Sequence, residues 1–119
     1  MAKLVTAGDK LVVQLSPIEK LAAFRGDVSV PLAQVTNVAV DSDPWHALRG
    51  LRAPGTGLPG VIAYGTRRYS GGIDFAALRG KGPAVRVDLD DSAKFGRLVV
   101  SGADPVATVA AVRAGSPQR

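Results

Sequence analysis

The chain contains no cysteine. Neither a disulfide nor a thiolate metal site can help to hold it together. Histidine occurs once, at His46, so a zinc site built mainly from His and Cys lacks its ligands. Aromatic residues are scarce, at 5% of the total, and a core must therefore be assembled from Val, Leu, Ile and Ala. Long apolar runs are missing too. The longest uncharged stretch, Ala53 to Thr66, is broken by two prolines and four glycines. It falls far short of the roughly 20 apolar residues of a membrane span. Near Met1, only Leu4 and Val5 precede Thr6 and Gly8, too little for the apolar part of a signal peptide. These absences lead us to expect a soluble, cytoplasmic protein.

What is present is ordinary for a globular chain. Hydrophobic residues make up 46% and charged residues 21% of 119 positions, enough for one domain with a real core. We expect a single domain over residues 1–115 and a frayed tail over 116–119. The formal charge of +5 is unevenly placed. Between Arg49 and Lys81 six basic residues face the single acid Asp74, and the remainder of the chain balances to zero. A basic middle can attract anionic partners or can simply be a solvated face.

The pattern is one of short strands. Lys3 to Ala7 and Lys10 to Leu15 flank a Gly8-Asp9 turn, the second strand alternating Leu11, Val13 and Leu15 against polar neighbours. Ser16, Pro17 and Glu19 make a capping box for a helix of one or two turns carrying Ile18, Leu21 and Ala22 as its apolar stripe. Strands are expected again over Asp27 to Pro31, Val35 to Asp41, Val61 to Thr66, Ile73 to Leu78, Ala84 to Asp90 and Arg97 to Ser101. Asp43-Pro44 announces a helical turn. Between it and Val61, the cluster Pro54, Gly55, Gly57, Pro59 and Gly60 reads as an irregular crossing. Asp104-Pro105 opens a closing helix whose Val106, Val109 and Ala110 form an apolar stripe, with Gly115 as its stop. Long helices alternating with strands are lacking, which argues against a parallel α/β fold.

With that order established, the sequence resembles the small stand-alone bacterial pleckstrin-homology (PH) domains. The resemblance rests on Val30-Pro31-Leu32, on Asp43-Pro44-Trp45, and on the run from Arg52 to Gly60 leading to Gly65-Thr66. It continues through Gly71-Gly72 before Phe75, and ends on Arg97 to Ser101 followed by Asp104-Pro105. It implies a mainly β fold: two bent, near-orthogonal antiparallel sheets of seven or eight short strands, a β-barrel or β-roll capped by one C-terminal helix. PH folds bind lipids, peptides or one another. In lipid-binding relatives the first turn is rich in Lys and Arg. Here Ala7 to Lys10 holds one acid and one base, which argues against head-group recognition there.

No motif carries chemistry. Gly55 to Gly60 matches a dinucleotide pattern in letters, but a strand rather than a helix follows it. Asp88, Asp90 and Asp91 lack the glycine and closing Glu of a calcium loop. Ser70 has no nucleophile elbow around it, and His46 has no placed partner. Trp45 and Tyr64 beside arginines suggest base stacking, but both sit in apolar or capped surroundings, so nucleic acid is not expected. We therefore expect a non-catalytic protein-interaction or self-assembly module, without cofactor or metal. Its partner is an unidentified protein or itself, and homo-oligomerisation stays open. The alternative is a peripheral binder of anionic membrane or a small anion. Arg49, Arg52, Arg67 and Arg68 would form its shallow patch, with at most weak, salt-sensitive contact.

Overall fold

A computed structural model describes residues 3–23, 27–47, 51–58, 62–69, 72–80, 82–90, 92–102 and 104–115. The chain starts with a hairpin. Strand β1 (Lys3–Ala7) pairs antiparallel with β2 (Lys10–Gln14), Leu4 opposite Val13 and Val5 opposite Val12. The turn needs a left-handed residue, and Gly8 supplies it at φ 64°. Helix α1 (Pro17–Ala23) begins at the capping box: Ser16 N–H donates to Glu19 Oε1 at 2.9 Å, and Glu19 N–H donates to Ser16 Oγ at 3.3 Å. Strand β3 (Val28–Pro31) then returns to β2, giving a small sheet in the order β1-β2-β3.

The second sheet is larger. It contains β4 (Val35–Asp41), β5 (Leu51–Leu58), β6 (Ile62–Tyr69), β7 (Gly72–Arg79), β8 (Ala84–Leu89) and β9 (Arg97–Ser101), in the order β4-β8-β9-β7-β6-β5. All its pairings are antiparallel except β7 with β9, which run parallel, Phe75 opposite Leu98. The facing sides of both sheets enclose the core. Leu11, Val13, Phe75, Val87 and Leu98 are fully buried there, each stabilising by about 1.5–3 kcal/mol relative to exposure. Phe75 and Phe95 meet edge to face with centroids 6.2 Å apart, so two of the three phenylalanines hold the centre. A satellite cluster of Ala63, Leu78, Ala84 and Val99 packs against Trp45, whose indole N–H donates to the Gly80 carbonyl at 2.9 Å.

Helix α2 (Pro105–Gly115) packs against β1, β4 and β8, and so bridges the small and the large sheet. Asp104 caps it: its carboxylate accepts from Ala107 N–H at 3.1 Å. None of the helices formed by the described residues is long and apolar enough to cross a membrane.

The mainly β architecture with two sheets and a closing helix agrees with expectation, but four details do not. Neither sheet closes into a barrel: β4 and β5 remain edges of the larger one. The described residues form nine strands rather than seven or eight, and one pair is parallel. The additional strand is β5, where an irregular crossing was expected. A proline in a strand is compatible with an edge, and the β5–β6 register shifts between Arg52 and Gly55, so that Ala53 and Pro54 sit in the irregularity. The apolar stripes also differ in part: Ile18, Val106 and Ala110 are exposed, whereas Val109 is buried as expected, together with Val112; the side chains of Leu21 and Ala22 lie outside the described residues.

Candidate functional site

Arg67 lies directly opposite Arg52 in the β5–β6 ladder and opposite Asp74 in the β6–β7 ladder. Arg68 lies opposite Leu51 and Ile73. The backbone thus brings three of the four expected arginines to one end of the β5–β6 hairpin. Arg49 lies outside the described residues, as do the side chains of Arg52 and Arg68. Arg67 is half-buried and Asp74 is buried, so this row combines a cation and an anion at adjacent register positions. Arg79 is opposite Ile62, at the far end of the β6–β7 hairpin, and is separated from Arg67 and Arg68.

Arg79 has other work. Its Nε donates to the Tyr64 hydroxyl at 3.3 Å. That hydroxyl in turn neighbours the Glu19 carboxylate and favours its charged form. Glu19 and Tyr64 are both buried. Burial opposes ionisation of Glu19, yet the hydrogen bonds from Ser16 N–H, Tyr64 and Ser16 Oγ outweigh it and hold the carboxyl below its ordinary value. Burial pushes the Tyr64 hydroxyl up; the hydrogen bond from Arg79 works against this and Glu19 works with it. A buried polar chain therefore ties α1 to β6 and ends at an exposed guanidinium. Sequence reading found Glu19 only as a helix cap. The signal for more was Tyr64, a polar-tipped residue in an apolar strand that needs a partner once buried.

The remaining candidates resolve into structural roles. Asp88 accepts from Arg97 Nε at 2.8 Å, and Arg86 lies 3.5 Å from both Asp88 and Asp41. Asp90 accepts from Ser92 N–H at 2.9 Å and from Ser92 Oγ at 2.6 Å, an Asx turn. Gly55 and Gly57 belong to β5, with no helix behind them to receive a pyrophosphate. The side chain of His46, and the whole of Ser70 and Asp91, lie outside the described residues. Among the described residues no three His, Cys, Asp or Glu side chains converge as metal ligands would.

The sheet edges differ from one another. On β4, α2 packs alongside and Arg113 Nη2 donates to the Val38 carbonyl at 2.9 Å. On β5, Pro54 and the register shift interrupt the strand. Strand β3 is four residues long and ends in Pro31. Strand β1 has no proline, no register shift, and a single charge at its first residue, Lys3. A groove of about 290 Å³ opens beside it. Lys3, Leu4 and Val5 line it together with Val85, Val100 and Thr108 of α2. Models of protein families, curated proteins and solved structures were all compared with the chain, and none matches it.

Proposed function

We propose that this chain is a non-catalytic protein-interaction or self-assembly module built on a PH-like scaffold, with β1 as its contact edge. The two sheets and the closing helix support the scaffold. The single observation that carries the function is β1 itself, an edge strand with neither proline nor register shift that borders, beside α2, a largely apolar groove. Edge strands of this kind accept further strands, and natural proteins protect the edges they do not use. The adjoining groove gives such a contact apolar walls as well as main-chain partners.

The test uses Val5, which is half-exposed. Wild-type and Val5→Lys chains serve side by side as bait in native lysate, with light scattering on each purified chain. Either a captured protein or a mass above that of the monomer, present with wild type and lost with Val5→Lys, is the expected result. Two monomers that capture the same proteins would refute it.

A second reading rests on the pairing of Arg52 with Arg67. Arg52, Arg67 and Arg68 at this end of the sheet outnumber Asp74, and the excess positive charge can hold an external anion. This end of the hairpin would attract anionic surfaces weakly and with strong salt sensitivity. Flotation with anionic liposomes at low and high salt, using wild type and a variant with Ser at positions 49, 52, 67 and 68, checks it. Tight, salt-resistant binding to one head group would contradict it.

A further inference from the structure

We infer that Arg113 is a clasp: its guanidinium holds the last turn of α2 along β4 and keeps that edge closed to any further strand. The clasp is independent of the contact assigned to β1. The backbone tells which groups it closes. Asp90 N–H donates to the Gln34 carbonyl, on the β4 side, and Leu89 N–H donates to the Gly96 carbonyl, on the β9 side. Backbone groups alternate in direction along a strand, so Asp88 and Arg86 turn theirs toward β4. Thr36 Oγ1 accordingly donates to the Asp88 carbonyl at 3.1 Å. Asn37 and Ala39, opposite Asp88 and Arg86, turn their own groups back toward β8. Val38, between them, aims its N–H and carbonyl out of the free edge of the sheet. There the carbonyl accepts from Arg113 Nη2 at 2.9 Å.

Strand β4 is an edge that needs such a device. Its sequence, VTNVAVD, is rich in β-formers and has neither proline nor glycine. The register shift between Val35 and Asn37 blunts one end. At the other end Asp41 lies 3.5 Å from Arg86, which offsets the one charge of the strand. Between them runs Asn37 to Val40, regular and uncharged, with Val40 39% exposed. Uncharged, regular edges of this kind add strands. Val38 stands inside this stretch. Arg113 reaches it from the last turn of α2, where the helix dipole favours a cation. Burial of Val109 and Val112 fixes the helix that carries it. An incoming strand would have to displace a hydrogen bond strengthened by charge before it could pair with Val38.

The test is association of the purified chain, followed by sedimentation velocity over a concentration series. Arg113 is exposed apart from this bond, so its variants should fold. Arg113→Ala should associate at about tenfold lower concentration than wild type, the effect of losing one hydrogen bond from a charged donor. Arg113→Lys keeps a cation and a donor and should stay within about twofold of wild type. Adding Val40→Lys to Arg113→Ala puts a charge back on the open stretch and should return association to the wild-type level. Should that chain not fold, Asn37→Lys, at an exposed position opposite Asp88, decides in its place. Glu19→Ala weakens α1 without touching β4 and should leave association unchanged, and circular dichroism melts report the stability of every chain. Repeating the series with Val5→Lys present separates β4 from β1, because a gain made at β4 survives that change. No gain in Arg113→Ala, a gain that the added lysine does not suppress, or an equal gain in Glu19→Ala overturns the clasp. So does a gain that disappears with Val5→Lys, which assigns the association to β1.

Discussion

Helix α1 turns Glu19 into the protein and leaves Ile18 in solvent at 74% exposure, whereas α2 buries Val109 and Val112 and leaves Val106 at 70%. Both start the same way, with a polar cap followed by proline: Ser16-Pro17 and Asp104-Pro105. The caps do as helix-end chemistry says they should. What differs is the surface each helix meets. Helix α2 faces β1, β4 and β8, where an apolar face is rewarded. Helix α1 packs on β5 and β6 and meets the Tyr64 hydroxyl, so an acid turned inward finds a donor. A cap fixes where a helix begins. Its rotation about its own axis is fixed by its neighbours.

The comparison breaks most visibly at α2. Val112 is fully buried among the core residues. Val112→Asp forces an unpaired carboxylate into that contact and should cost about 3–5 kcal/mol in urea denaturation. Val109→Asp should be nearly as damaging, while Val106→Ser should stay within about 0.5 kcal/mol of wild type. If Val106→Ser proved as costly as Val109→Asp, α2 would be docked by the other stripe.

At α1 the effect should be smaller and should depend on pH. Glu19→Ala removes the capping-box acceptor and leaves the buried Tyr64 hydroxyl without its carboxylate, a loss of about 1–3 kcal/mol. Glu19→Gln keeps the shape and removes the charge. The folded carboxyl titrates below its ordinary 4.5, so the charged form is favoured by folding. Its contribution is complete above pH 4.5 and disappears as pH falls through the lower, folded value. Denaturation of wild type and Glu19→Gln should therefore show a gap at pH 7 that narrows at pH 3. A gap that widens in acid would mean that burial, not hydrogen bonding, controls this group.

The comparison also shows how much was legible beforehand. Local chemistry was: the Gly8 turn, the Ser16–Glu19 box, the Asp104 cap and the alternation of Val85, Val87 and Leu89 all reappear in the structure. Strand β5 was not, because Pro54, Gly55 and Gly57 outweigh its few β-formers in any local reading. An edge position next to β6 is what makes them tolerable, and that is a tertiary fact. The parallel β7–β9 pairing has no local signature at all. For the candidate site, the register that joins Arg52 to Arg67 depends on the missed strand. The groove beside β1 has no local signature either, because it joins the first strand to the last helix.

Ile18 gives the smallest expected effect and the sharpest view of α1. On sequence grounds it heads the apolar stripe, and an inward Ile18 replaced by Ser would leave a cavity costing more than 2 kcal/mol, by analogy with other large-to-small changes of about 2–5 kcal/mol. The structure leaves it exposed, so Ile18→Ser removes almost no burial. Ile and Ser also have similar helix propensities, and the position lies in the first turn, where the cap dominates. The expected change in stability is within about 0.5 kcal/mol. A loss of stability above about 1 kcal/mol would mean that α1 docks through Ile18 and that Glu19 is not its anchor.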